Sequence, residues 1–122
     1  MTAPLIFSGD MAKLDAFTLN VLCNSEVIAM DQDALGHQAR ILKQTSDEFI
    51  LLKELEDGSK AVGIFNLDER PRKLPVSWAD LGLAGAQEIR DLWRQKEIGT
   101  FAGPFETEVP RHGVTLVRMR GK

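Results

Sequence analysis

The stretch EFILLKELEDGSKAVGIFNL, residues 48–67, holds two apolar runs on either side of a short polar turn. In the second run Val62 and Ile64 recur with a period of two, which places them on one face of a strand. Between the runs, Asp57 and Gly58 form a dipeptide that suits the left-handed backbone positions of a tight hairpin turn. The stretch therefore predicts two antiparallel strands joined by a hairpin, at 48–55 and 60–67.

Similar short strands are predicted on both sides of this hairpin. Their turn signals recur about every eight to twelve residues, a spacing typical of antiparallel sandwiches and barrels. The predicted strands are 40–44, 74–78, 88–93, 107–109 and 114–119, with one helical turn at 79–83 that a glycine ends. Residues 37–122 are therefore expected to form a mainly β domain, a Greek-key-like antiparallel β-sandwich of about seven or eight strands.

Residues 1–36 follow a different pattern. An apolar run at 4–7 ends in Ser-Gly-Asp, as expected of a buried strand followed by a turn. Short helices then extend to about residue 33, the last of them predicted at 27–33, and three side chains are suited to cap them: Asp10, Asp15 and Asn24. A buried strand leading into helices is typical of an α/β barrel or an open parallel sheet, and one strand alone forms neither. We therefore expect residues 1–36 to be the end of a larger domain.

Composition and charge exclude some classes of partner. The sequence has 122 residues, 43% hydrophobic and 27% charged, which is ordinary for a soluble globular protein. A net charge of −3 with scattered basic residues argues against nucleic acid as a partner. No apolar run approaches the roughly 20 residues that cross a bilayer, so no membrane partner is expected. No basic leader follows Met1, so no signal peptide is visible, and the compartment stays open. Cys23 lies in an apolar helical pattern and is expected in the core.

Six blocks of sequence, in this order along the chain, together resemble the C-terminal part of the α-galactosidases, or melibiases, of glycoside hydrolase family 27. They are APLIFSGDMAKLD (3–15), NSEVIAMDQDALGHQAR (24–40), DGSKAVGIFN (57–66), VSWADLGL (76–83), RDLWRQKEIG (90–99) and EVPRHGVTLVRM (108–119). The resemblance covers essentially the whole chain. Departures are small, since the family often has proline where Ala34 stands and commonly asparagine where Gly9 stands.

The resemblance implies a (β/α)8 barrel that carries catalysis and a C-terminal antiparallel β-domain that packs against it. Residues 3–7 would match the eighth barrel strand, 10–33 the helices that close the barrel, and the residues from about 37 the β-domain. The family retains configuration and uses two aspartates, a nucleophile and an acid/base, on earlier barrel strands that this sequence does not include. A retaining site needs two carboxyl groups about 5–5.5 Å apart, held at the mouth of a closed barrel.

By this resemblance the chain is the accessory β-domain fragment of a hydrolase that acts on terminal α-galactosides. We expect it to be non-catalytic by itself and to need no cofactor. Its expected partner is the missing barrel, in the same polypeptide or another chain, and it would meet α-galactoside sugars only through that barrel. Two other functions stay open, a self-standing carbohydrate-binding module and a structural or oligomerisation domain.

The acidic residues do not form a convincing catalytic pair. Asp31 and Asp33 point about 200° apart on a helix, and solvation at the helix end explains them more simply. Glu54 and Glu56 could share a strand face, yet they flank the hairpin turn, where acidic residues are usually solvated. No catalytic residue is expected in this chain.

Histidines offer no better site. His37 and His112 lie far apart in the sequence and lack ligand spacing with any Cys or Asp cluster, so no metal site is expected. His112 precedes a glycine in a predicted turn, where a surface position is the simplest expectation.

Three polar residues follow the first apolar run: Ser8, Gly9 and Asp10. In a complete barrel they would lie just beyond the eighth strand, on the catalytic face, and so beside the substrate. The simpler interpretation is that Asp10 caps the next helical turn. The apolar run itself, within residues 3–7, would present an unpaired edge without its barrel neighbours. We expect either self-association through it or its folding back onto the β-domain.

The two tryptophans carry the carbohydrate-binding alternative. Sugar binding requires exposed aromatic rings with hydrogen-bonding groups beside them. Trp78 and Trp93 suit the sandwich core or a contact between domains at least as well, and of these we expect the core. Two open, coplanar rings would instead favour a sugar-binding module.

Overall fold

The computed structural model describes residues 3–122. It contains a 3-10 turn at Met11–Lys13 and three α-helices: α1 (Ala16–Leu22), α2 (Ser25–Asp31) and α3 (Trp78–Leu81). The strands are β1 (Arg40–Gln44), β2 (Glu48–Glu54), β3 (Lys60–Asn66), β4 (Arg72–Val76), β5 (Gln87–Asp91), β6 (Lys96–Phe101), β7 (Phe105–Val109) and β8 (Val114–Gly121).

The strands form two antiparallel sheets. Six strands pair in the order β1-β2-β3-β8-β5-β6, and β4 pairs with β7 in a second sheet. Because β8 returns between β3 and β5, sequence neighbours are not always sheet neighbours, as in a Greek-key arrangement. The predicted antiparallel β-sandwich is confirmed.

The core lies between the sheets and is built by alternate residues of the central strands. Val62 on β3 pairs with Leu52 on β2 and with Val117 on β8. All three are almost completely buried, and Leu74 of the smaller sheet belongs to the same cluster. Burial of a side chain of this kind is worth about 1.5–3 kcal/mol, so this layer is a main source of stability.

The predicted hairpin joins β2 to β3. Gly58 has a φ of +80°, a left-handed conformation that glycine adopts without cost. The Asp57 carboxylate accepts hydrogen bonds from the backbone and side chain of Ser59, which lower its pKa. Arg118 of β8 also pairs with Asp57, so the turn is fastened to a third strand.

Two strand predictions were wrong. No strand forms at residues 4–7, where Leu5 and Ile6 are exposed. A strand needs a neighbour for its backbone hydrogen bonds, and this segment has none within residues 3–122. Conversely, β6 (Lys96–Phe101) was not predicted. Its large apolar residues, Ile98 and Phe101, lie three positions apart, so it lacks the alternation with a period of two that reveals a half-buried strand.

The three predicted caps are confirmed. The Asp10 carboxylate accepts from the backbone N–H of Ala12, and Asp15 accepts from that of Thr18 at 2.7 Å. Asn24 caps α2, which begins and ends two residues earlier than the predicted 27–33. Within residues 3–122 no helix has the length and apolar character to span a bilayer.

Cys23 is exposed, so the prediction that it lies in the core was wrong. It follows α1, a helix in which no residue is buried. The helical periodicity of the apolar residues predicted a buried face, but no part of the described chain buries the side chains of α1.

Candidate functional site

A groove of about 840 Å³ opens on the surface of the described residues. It runs between α1, the turn after β5, and strands β7 and β8. Its apolar lining includes Phe17, Val21, Trp93, Ile98, Phe101, Phe105 and Val114. Polar groups along it include Asn20, Asp91, Glu106, Thr107, Glu108 and Thr115.

Large apolar side chains of this groove are open to solvent. Phe17 is 77% exposed, and four others are about two-fifths exposed: Val21, Trp93, Ile98 and Val114. A contiguous apolar patch with polar groups at its edge is characteristic of an interaction surface. The groove therefore fits an apolar partner surface.

Trp93 lies in the turn that connects β5 to β6. Asp91 ends β5, and its carboxylate accepts a hydrogen bond from the backbone N–H of Arg94 at 2.9 Å. Gln95 in the same turn has a φ of +52°. Trp93 is 41% exposed, so the prediction that it lies in the core was wrong, whereas Trp78 is buried as predicted. With Trp78 buried, the two tryptophans do not form an open two-ring platform for a sugar.

A polar cluster joins α2 to the sandwich close to this groove. Asn24 is 2% exposed, and its side-chain N–H groups donate to the carbonyl oxygens of Leu92 and Trp93. Glu26 accepts two hydrogen bonds from the Arg90 guanidinium, at 2.8 and 2.6 Å. This contact lowers the pKa of Glu26 and raises that of Arg90. These contacts of Asn24 and Glu26 attach α2 to the sandwich, and we call this contact region the seam.

The far end of α2 makes further contacts with the sandwich. Asp31 is buried, so the prediction that it is solvated at a helix end was wrong. Its backbone carbonyl accepts a hydrogen bond from the buried Lys53 ammonium at 3.2 Å. The Asp33 carboxylate accepts from the backbone N–H of Glu56 at 2.9 Å. Both aspartates therefore lie in the seam that attaches α2 to the sheet.

Glu54 and the two histidines have surface positions. Glu54 is exposed and pairs with Lys60 at 3.1 Å, which lowers its pKa. His112 has a φ of +51° and contacts Glu69 at 2.9 Å in an exposed pair. His37 is also exposed. Within residues 3–122, no group of three His, Cys, Asp or Glu side chains is placed to hold a metal ion.

Ser8, Gly9 and Asp10 are exposed and do not line the groove. Asp10 caps the 3-10 turn and forms a long ion pair with Lys13 at 3.7 Å. These three residues are therefore not part of the groove. The groove itself was not predicted from the sequence. The exposure of Phe17 and Trp93 had no signal in the sequence pattern, because apolar periodicity is the same for a core and for an interface.

Four carboxyl groups have a pKa that favours the ionised form. A catalytic acid needs a raised pKa to stay protonated near neutral pH. In the part of the chain that the structure describes, the carboxyl groups whose pKa departs from its ordinary value all have it lowered: Asp15, Glu26, Glu54 and Asp57. Hydrogen bonds to each carboxylate are the main cause. These four carboxylates act as a helix cap (Asp15) and as partners in ion pairs (Glu26, Glu54 and Asp57).

Comparison with known proteins gives consistent matches. The family described as "Alpha galactosidase C-terminal beta sandwich domain" matches residues 47–119. A probable alpha-galactosidase of Dictyostelium discoideum is 35% identical, over 98% of this chain and 32% of its own length. An alpha-galactosidase of Cyamopsis tetragonoloba is 32% identical, over 93% of this chain and 28% of its own length. This chain thus spans about a third of the length of these relatives.

Solved structures resemble the whole described chain. Alpha-galactosidase I from Mortierella vinacea matches with a TM-score of 0.91 and 28% identity, over 99% of this chain and 32% of that chain. A GH27 β-L-arabinopyranosidase from Geobacillus stearothermophilus also gives 0.91 and 28%, over 98% of this chain and 27% of that chain. The similarity therefore extends beyond the sandwich to the helices that precede it.

Proposed function

This chain belongs to the family of α-galactosidase C-terminal β-sandwich domains, among relatives of glycoside hydrolase family 27, and we propose that it is the accessory domain of such a hydrolase. The proposed enzyme acts on terminal α-galactosides, in line with the names of the relatives, and retains configuration, as the resemblance to glycoside hydrolase family 27 implies. An arabinopyranosidase shares the same architecture equally well. The sugar would therefore be selected by the catalytic barrel, and the accessory domain would support that barrel.

One observation carries this proposal: five exposed, large apolar side chains line a single groove. When a partner covers such a surface, the complex is stabilised by about 25 cal/mol for each Å² of apolar area removed from water. We assign the catalytic barrel as that partner, because matched relatives are about three times as long as this chain. The groove would be the docking surface for the rest of that barrel, since α1, one of its walls, lies within residues 1–36.

Residues 1–36 would be the last strand and closing helices of that barrel, with residues 37–122 as the separate sandwich. Exposure of Leu5 and Ile6 supports this division, since a barrel strand is covered on both faces in its complete domain. Ser8, Gly9 and Asp10 would then lie beside the substrate. Where no barrel is present, residues 3–7 would drive self-association instead.

By itself the chain would not hydrolyse glycosides. Retaining hydrolysis needs a nucleophile and an acid/base held about 5–5.5 Å apart. The lowered pKa values of Asp15, Glu26, Glu54 and Asp57 support the absence of a catalytic acid among them. A self-standing sugar-binding module is less well supported, because Trp78 is buried.

A domain exchange tests the proposal. The third of the Mortierella enzyme that matches this chain is replaced by this chain, and hydrolysis of a chromogenic α-galactoside is measured with thermal unfolding. We expect the hybrid to be active and this chain alone to be inactive. Turnover by the purified chain alone, lost on Asp10→Asn or Glu54→Gln, would overturn the non-catalytic assignment.

A charged substitution in the groove tests the docking surface. In the hybrid, Phe17→Asp is expected to lower the unfolding temperature and the activity, because it would place a carboxylate in an apolar interface. Ile41→Asp is the matched control, since Ile41 is 56% exposed on β1 and does not line the groove. Equal effects of the two substitutions would overturn the docking assignment.

A further inference from the structure

Asn24 lies where the two walls of the groove meet the seam. One wall is α1, which contributes Phe17, Asn20 and Val21 and ends at Leu22, two residues before Asn24. The opposite wall includes Trp93, in the turn after β5. The spacing of these walls therefore depends on how the chain around Asn24 is held.

The Asn24 side chain makes five hydrogen bonds from a buried position. Its amide nitrogen donates to the carbonyl oxygens of Leu92 at 2.9 Å and Trp93 at 3.3 Å. Its amide oxygen accepts from the backbone N–H groups of Glu26 and Val27, which begin α2. It also accepts from the Gln95 side chain at 3.1 Å. One side chain thus caps the helix and holds the turn that carries Trp93.

Few residue types can replace asparagine here. Aspartate and serine also cap helices well, because each supplies an acceptor oxygen. An ionised aspartate has no donor, whereas the asparagine amide supplies two. The hydrogen bonds to the carbonyl oxygens of Leu92 and Trp93 therefore require a donor group, which a residue that only caps a helix does not need.

The neighbouring ion pair holds the same turn at another point. Arg90, already bound to Glu26, also donates to the backbone carbonyl of Gln95 at 2.9 Å. The turn is therefore fixed at three backbone carbonyls: Leu92, Trp93 and Gln95. The first two accept from Asn24, the cap of α2, and the third accepts from Arg90, the ion-pair partner of Glu26.

We propose that Asn24 is a positioning residue that sets the distance between α1 and Trp93 and so gives the groove its shape. Donation to the Leu92 and Trp93 carbonyls performs this role, separately from the capping of α2. That this shape serves to receive a catalytic barrel rests on the proposed function.

The test separates donation from capping. Asn24→Asp keeps an acceptor for α2 and removes both amide donors. Asn24→Ser also keeps an acceptor, but it replaces the two donors with a single hydroxyl on a shorter side chain, which cannot donate to both carbonyls. A nitroxide label is placed on α1 through Asn20→Cys in a Cys23→Ser background, and nuclear relaxation is measured at the backbone amides of Trp93 and Arg94, in the turn after β5. We expect the relaxation enhancement at these amides to be lost in both variants, with α2 still helical.

Gln32→Glu is the control, because it makes the same amide-to-carboxylate change at an exposed position just after α2. It should leave the enhancement unchanged. If Asn24→Asp does not fold because it buries a charge, Asn24→Ser decides the question. A purely structural role would lower the unfolding temperature without moving the label, so an unchanged enhancement in folded Asn24→Ser would overturn the proposal.

This measurement uses the present chain alone, so it decides the role of Asn24 whether or not a barrel docks in the groove. The hybrid carrying Phe17→Asp decides docking independently. Loss of the enhancement together with equal effects of Phe17→Asp and Ile41→Asp would support Asn24 as a positioning residue and reject the docking surface.

Discussion

Glu26 and Arg90 meet across the seam between α2 and β5, and their contact makes stability depend on pH. The two hydrogen bonds from Arg90 favour the ionised form of Glu26, which lowers its pKa in the folded protein. A carboxyl group with a depressed folded pKa stabilises the fold above its unfolded pKa. That contribution is lost as the pH falls through the folded pKa.

We therefore expect Glu26→Gln to lower the unfolding temperature at pH 7 and to have progressively less effect as the pH falls below about 4, where Glu26 begins to protonate in the unfolded and then the folded chain. Glu88→Gln, an exposed position on the same strand as Arg90, is the control and should change little. Calorimetry from pH 3 to pH 7 measures both. A pH-independent difference between Glu26→Gln and the parent would contradict the assignment.

Roles that depend on nearby backbone could be predicted from the sequence, and roles that depend on distant surfaces could not. The caps at Asp15 and Asn24 were predicted correctly, because a cap involves backbone only two or three residues away. The exposure of Cys23 and Trp93 was not, since it depends on what covers them. Nor could the contact of Asn24 with Trp93 be predicted, because 69 residues separate the two in the chain.

At the scale of the elements, the hairpin between β2 and β3 gives the sharpest prediction. Gly58 has a φ of +80°, so Gly58→Ala should destabilise the protein by about 1–2 kcal/mol through left-handed strain. Gly103→Ala is the control. Gly103 is exposed, has no positive φ, and an added Cβ would meet nothing within 4 Å. It should be neutral or stabilising by about 0.4–1 kcal/mol. Urea unfolding of both variants measures the difference, and equal effects would contradict the turn argument.

The same contrast explains which elements could be predicted. The bounds of β1 (Arg40–Gln44) agree with the predicted strand, and β2 and β3 each end one residue earlier than predicted. These strands have apolar periodicity and a diagnostic turn. Strand β6 has neither, because its large apolar residues, Ile98 and Phe101, lie three positions apart instead of two. At residues 4–7 the apolar run had the signal of a buried strand, but a strand also requires a pairing partner.

For the whole molecule, the seam raises the question of how much of the N-terminal segment stabilises the sandwich. The side chains and backbone of residues 24–33 hold the sheet through Asn24, Glu26, the Asp31 carbonyl and Asp33. Residues 3–23, in contrast, include no buried residue. The part of the N-terminal segment that is bonded to the sandwich therefore begins at Asn24, although the apolar periodicity of the sequence changes only after residue 36.

Two truncated proteins test this distribution. The sandwich has its own core, so residues 38–122 should still unfold cooperatively. They should nevertheless unfold at a lower temperature than residues 24–122, because they lack the hydrogen bonds of α2. A bond to a charged group contributes about 1.5–3 kcal/mol, and Lys53 loses the Asp31 carbonyl as one acceptor. Each kcal/mol shifts the unfolding temperature of a domain this size by about 4–8 °C, so a difference of several degrees is expected. Calorimetry of the two proteins measures it. Equal unfolding temperatures would show that α2 does not stabilise the sheet, and a non-cooperative transition for 38–122 would show that the sandwich does not fold without it.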